Sequence, residues 1–225
     1  MKTKLLQKGK TVRSFFIMLM FVFAATGTMV GQGTNAGNNP GLPGSHGLTE
    51  NQNADPLAIT SQTFTLNAGW NWFSSYLECD ANLLAALQAA IAQNNATALI
   101  KDMSNTTMLQ NGEWSDSDLD FRNESMFMVN LSAPTTVTLT APITKPADHP
   151  IILTSGWNWI SFPLNHTMTL TEAFSSFTPN NGDMIKNMSV ASTYSDGGWN
   201  GSLDQLEPGV GYMYYNNGAT VTLTY

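Results

Sequence analysis

Gly69-Trp70-Asn71-Trp72-Phe73-Ser74 returns as Gly156-Trp157-Asn158-Trp159-Ile160-Ser161, 87 residues later. Working outward, the same order of landmarks recurs on both sides of this stretch. Leu66-Asn67-Ala68 precedes the first copy and Leu153-Thr154-Ser155 the second. Downstream, Ile100-Lys101-Asp102-Met103 matches Ile185-Lys186-Asn187-Met188, Trp114 matches Trp199, and Phe127-Met128 matches Tyr212-Met213, each 85 residues apart. Val137-Thr138-Leu139-Thr140 then returns as Val221-Thr222-Leu223-Thr224 after 84. Landmarks kept in one order with small drift mark the duplication of a whole structural unit.

Each unit opens with a strand, Phe64-Thr65-Leu66 or Ile151-Ile152-Leu153, and turns into a second strand that carries Trp-Asn-Trp. In the first unit Ala81 to Gln93 favours helix, with Asp80 as N-cap and an apolar stripe at Leu83, Leu84, Leu87 and Ile91. The second unit keeps a shorter version from Leu170 to Phe177, stopped by Pro179. Strands resume at 98–100 and 184–185, at 126–129 and 212–214, and at the closing Val-Thr-Leu-Thr. Helix and strand do not alternate as a parallel sheet requires. The expected fold is mainly β: two tandem small antiparallel modules, each with one short helix. Trp114 and Trp199 follow Asn111-Gly112 and Gly197-Gly198 and are expected in loops.

The start of the chain is different in kind. Lys2, Lys4, Lys8, Lys10 and Arg13 precede the apolar run Phe15–Ala25 and the small residues Thr26, Gly27, Thr28 and Gly31. This is the pattern of a secretory signal peptide, expected over 1–32, and the run is shorter than the 20 or so apolar residues of a membrane anchor. Residues 33–60, rich in Gly, Asn and Pro, are expected to form a flexible leader. Repeat 1 is placed at 61–141 and repeat 2 at 151–225. The three prolines of 142–150 suggest a short, stiff linker between them. Signal removal leaves four basic residues against sixteen acids, a net charge of −12. Nucleic acid and anionic membrane surfaces are disfavoured as partners, and no stable membrane span is expected after cleavage. Cys79 stands alone, so no disulfide forms within the chain; it is expected to be half-buried and inert, or to pair between chains.

Gly-Trp-Asn-Trp followed by Ile-Ser, the Ile-Lys pair, a lone Trp and Leu206-Glu207-Pro208-Gly209-Val210-Gly211-Tyr212-Met213 resemble the tandem "GWN-x-IS … L-x-PG-x-GY" repeats of exported and cell-surface proteins of Bacteroidota-type bacteria. Repeat 2 matches throughout. Repeat 1 departs at Phe121-Arg122-Asn123-Glu124-Ser125-Met126-Phe127-Met128, where the Pro-Gly and the following Gly are gone. The resemblance implies accessory β-rich modules without chemistry of their own, placed in the periplasm, at the cell surface or outside the cell.

The candidate groups are aromatic. Trp70 with Trp72, and Trp157 with Trp159, share a strand face and serve either as core anchors or as a platform for sugar rings. Trp199 and Trp114 are candidates for exposure. Tyr212 and Tyr214 share one face, so both line a site or both are core. A ligand site is therefore expected at Trp199, Tyr212, Tyr214 and Trp114, centred on repeat 2, which keeps the glycine turn. Lys101 and Lys186 occupy one shared position, as a salt bridge or stem over the core, or as a contact for a ligand carboxylate. Asp116, Asp118 and Asp120 alternate, but Phe121 and Phe127 stand where a calcium loop needs Gly and Glu, so no metal is expected. His46, His149 and His166 lie outside any shared pattern, and no catalytic motif or cofactor signature occurs. The expectation is a non-catalytic exported adhesion-type module that binds a glycan or a surface protein. The alternatives are a structural spacer or assembly subunit and, more distantly, an accessory to polysaccharide breakdown.

Overall fold

The computed structural model describes residues 58–225, so the expected signal peptide and nearly all of the expected leader lie outside the described residues. The chain is mainly β and antiparallel, with a helix in each of two modules. Repeat 1 contains β1 (Ile59–Leu66), β2 (Gly69–Phe73), α1 (Ala81–Ala92), β3 (Ala98–Lys101), β4 (Thr106–Gln110), β5 (Glu113–Trp114), β6 (Phe127–Leu131) and β7 (Thr135–Pro142). Repeat 2 contains β8 (Ile151–Leu153), β9 (Gly156–Ile160), β10 (Met168–Thr169), α2 (Leu170–Ala173), β11 (Met184–Lys186), β12 (Ala191–Ser195), β13 (Gly198–Gly201), β14 (Gln205–Leu206), β15 (Tyr212–Asn216) and β16 (Val221–Leu223).

The duplication is visible strand by strand. In repeat 1 a five-stranded sheet runs β2-β6-β3-β4-β5 while β1 pairs with β7; in repeat 2 the same order is β9-β15-β11-β12-β13, with β8 on β16. Each module has its own apolar core. The first gathers Phe64, Leu66, Leu87, Ile91, Ile100, Phe127, Val129 and Leu139; the second gathers Leu153, Ile160, Phe162, Phe174, Ile185, Leu206, Tyr212 and Tyr214.

Local chemistry explains the shared opening. Gly69 and Gly156 sit at φ +85° and +91°, a left-handed conformation that glycine adopts without steric cost. The Asn two residues on then closes the turn. Asn71 Nδ2 donates to the Asn67 and Gly69 carbonyls, and Asn71 Oδ1 accepts from the Asn67 amide at 2.9 Å. Asn158 makes the same bonds to Thr154 and Gly156. Gly-Trp-Asn is thus a turn-locking unit that starts a strand.

Three expectations change. Trp114 and Trp199 lie on strands β5 and β13, not in loops. The preceding Asn111-Gly112 and Asp196-Gly197 form two-residue hairpin turns, with all four residues at positive φ. Helix α2 is only four residues long, and its capping box of Thr169 and Glu172 starts a turn that ends at Phe174. The segment 142–150, expected as a short, stiff linker, is tied into repeat 1. Pro142 ends β7 opposite Ile59, Ile143 bridges Leu77, and Thr144 N donates to the Tyr76 carbonyl at 2.9 Å. The prolines are accommodated because Pro142 stands at a strand end and Pro146 begins a short 3-10 turn, where a missing N–H costs nothing.

The two repeats meet along a seam with an approximate two-fold relation. Ser74 N donates to Gly209 O at 3.2 Å, and its equivalent Ser161 N donates to Glu124 O at 3.4 Å. Ser74 Oγ donates to Val210 O at 2.7 Å, while Ser161 Oγ donates to Asn123 O. Lys186 Nζ lies 5.8 Å from the ring centre of Trp72, and Lys101 Nζ lies 5.4 Å from that of Trp159. Each repeat thus lays its lysine on the other's second tryptophan.

Candidate functional site

The structure separates the expected site residues. Tyr212 and Tyr214 are fully buried, so the expectation that they line a binding face is not met. Tyr212 Oη accepts from Glu207 N at 2.7 Å, and Tyr214 Oη donates to Asp183 Oδ2 at 2.6 Å. Burial pushes both phenols well above the ordinary tyrosine range. Their shared face points into the core, where Tyr214 packs 5.0 Å from the buried Phe174 ring.

Trp199 is half-buried on β13, at the sheet's edge. Its ring sits 5.2 Å from Phe174, 5.3 Å from Tyr194 and 6.3 Å from Tyr214. Between β13, the β12 hairpin and the segment after α2 lies a hollow of about 260 Å³. Trp199, Tyr194 and Phe177 supply its half-exposed aromatic surface, and Thr171, Ser175 and Thr178 stand at its exposed rim. No charged side chain lines it.

Trp114 occupies the equivalent place in repeat 1 under different conditions. Helix α1 runs on beside it, and Trp114 Nε1 donates to the Gln88 carbonyl at 3.1 Å. The hollow there has Trp114 as its one aromatic ring, with Gln88, Thr107 and Asp116 among its lining. The longer helix ties this tryptophan down.

The tryptophans of the repeated motif belong to neither core. Trp70 and Trp157 are exposed, at 47% and 42%, and Trp157 packs 5.3 Å from Tyr215. Trp72 and Trp159 are half-buried at the seam under the two lysines. Lys101 and Lys186 have no acidic partner among the described residues, so of the alternatives the salt bridge is not formed and the ammonium groups lie over tryptophan rings. Two clefts of about 310 and 320 Å³ flank the seam. One takes Trp72, Asn71 and Met188, the other Trp159, Asn158 and Met103, which are equivalent residues. The matched Met103 and Met188 were the sequence signal for these clefts.

The remaining polar groups are held by local contacts. Asp120 pairs with Arg122 at 3.4 Å on the surface, and among the described residues no three His, Cys, Asp or Glu side chains gather to hold a metal ion. His149 stands between Glu124, at 2.8 Å from Nδ1, and Glu78, at 3.3 Å from Nε2. Burial alone would lower its pKa, but the Glu124 hydrogen bond and the two carboxylates outweigh that and raise it. Burial also pushes the Cys79 thiol up to about 12, which leaves it unreactive at neutral pH. Among the described residues no helix is long and apolar enough to cross a membrane. No protein family, curated protein or solved structure matches this chain.

Proposed function

We propose that this chain is a non-catalytic exported binding module that holds an uncharged glycan in the Trp199 hollow. The supporting observation is the hollow's composition: three half-exposed aromatic rings ringed by threonine and serine hydroxyls, without a charge. Aromatic faces receive the C–H faces of sugar rings, and hydroxyls exchange hydrogen bonds with sugar hydroxyls. At about 260 Å³ the hollow is smaller than an enclosed small-molecule site, which suits surface contact with a few residues of a longer glycan. Neither His149 nor His166 hydrogen-bonds a serine, threonine or cysteine side chain, which favours binding over chemistry. The resemblance of the repeats to those of exported and cell-surface proteins supports an extracytoplasmic setting.

A glycan array on the signal-free protein, followed by calorimetric titration of its hits, tests this reading. Trp199→Ala is expected to weaken binding by about 2 kcal/mol or more. Because Trp199 also packs on buried Phe174, Thr178→Arg at the exposed rim is the companion variant, expected to block binding and leave the thermal midpoint unchanged. Binding that survives both substitutions rules out this hollow. A structural spacer is the second reading, favoured by the burial of Tyr212 and Tyr214 and by the engagement of Trp72 and Trp159 within the seam. It stands if no glycan binds.

A further inference from the structure

The geometry points to a knob-and-hole lock at the seam: Met126 fills the space that Gly211 leaves, so that a repeat with methionine at this position pairs only with a repeat that has glycine. The two residues occupy equivalent positions, each one residue before the strand that begins at Phe127 or Tyr212. Met126 is fully buried yet belongs to neither core, because it is spent on the contact between repeats. A Cβ placed on Gly211 would stand 2.9 Å from Met126 Cβ, 3.0 Å from Met126 Sδ and 2.9 Å from the Phe73 amide nitrogen. Gly211 is not among the glycines at positive φ, so close approach, not backbone conformation, demands glycine there.

A two-fold interface brings equivalent positions toward each other, so one residue type used on both sides meets itself. Two methionines would collide here; two glycines would leave the Met126 volume empty, with the loss of contacts that a cavity brings. The departure of repeat 1 from the Pro-Gly-x-Gly pattern is therefore the complement of repeat 2's adherence to it. The partner that this surface fits is another repeat of the same fold with glycine before its Tyr212-equivalent strand. Repeat 1 accepts repeat 2 and rejects a second repeat 1.

A double-mutant cycle on the whole signal-free chain tests the lock. Gly211→Ala alone is expected to lower the thermal midpoint by roughly 2–12 °C, as an overpacked contact in a chain of this size would. In the Met126→Gly background the same substitution is expected to lower it by less than half as much, the residue of the effect coming from the Phe73 amide. An equal drop in both backgrounds, or no drop in the first, overturns the inference. If Gly211→Ala alone does not fold, recovery of a folded double variant supports the lock. Failure of the double variant where Met126→Gly folds overturns it.

Discussion

Asn71 returns three hydrogen bonds to the turn that opens its own strand, and Asn158 returns four, with a fifth donated to the Tyr214 carbonyl on the neighbouring strand. Asn158 is buried, whereas Asn71 is only partly so. Removing the side chain forfeits these bonds, and the loss weighs more where they are shielded from water. Asn158→Ala is therefore expected to cost about 2 kcal/mol, and Asn71→Ala less. Denaturant midpoints of the two variants would check the order; equal midpoints would show that the turn does not depend on its burial. Tyr212 and Tyr214 teach a different lesson at the same scale. Their shared face was legible from alternation, but not its direction, because period two relates the two residues to each other and not to the core.

At the scale of elements, the capping residues and hairpin turns are the best encoded. Asp80 caps α1, its side chain accepting from Leu83 N at 2.7 Å, and this bond holds its carboxyl below the ordinary aspartate range. Asp80→Ala is expected to destabilise the chain by about 1 kcal/mol, read as a lower melting temperature at neutral pH. The contribution is present above the ordinary aspartate pKa and fades as pH falls through the lowered value, so wild type and variant should converge in acid. Asn111-Gly112 and Asp196-Gly197 are hairpin signals of the strongest short-range kind, yet the strands they join are only two to five residues long. Such strands lack the length for an alternation to stand out, which is why Trp114 and Trp199 read as loop residues. The unequal helices were legible from composition: Ala81 to Gln93 is uninterrupted, while Ser175-Ser176 and Pro179 break up its counterpart.

At the scale of the whole molecule, His149 joins the connection between repeats to repeat 1. It sits on the connecting segment and bonds Glu78 and Glu124, and the Glu124 carbonyl in turn accepts from Ser161 across the seam. Because its folded pKa is raised, its stabilising effect is fully present below the ordinary histidine pKa of about 6.5 and is lost as pH rises through the raised value. The melting-temperature gap between wild type and His149→Gln is expected to be widest below the ordinary histidine pKa and to narrow as pH rises through the raised value. A gap that widened with rising pH would mean that His149 acts in its neutral form.

The sequence by itself determined the duplication, the antiparallel β-rich modules and the sites of their turns, because these rest on contacts between neighbours along the chain. Glycine in a left-handed turn, asparagine folding back two to four residues and aspartate at a helix start act over distances that local order specifies. Only the tertiary structure decided how the modules join. The Lys–Trp exchanges, the reciprocal serine bonds and the fit of Met126 against Gly211 connect residues 37 to 136 positions apart. Nothing in the local pattern says which surfaces will meet, so the lost glycines of repeat 1 look like decay in the sequence and like complementarity in the fold. The Trp199 hollow follows the same rule. Its tryptophan was visible in the repeat, but the rings of Phe177 and Tyr194 join it only in the fold.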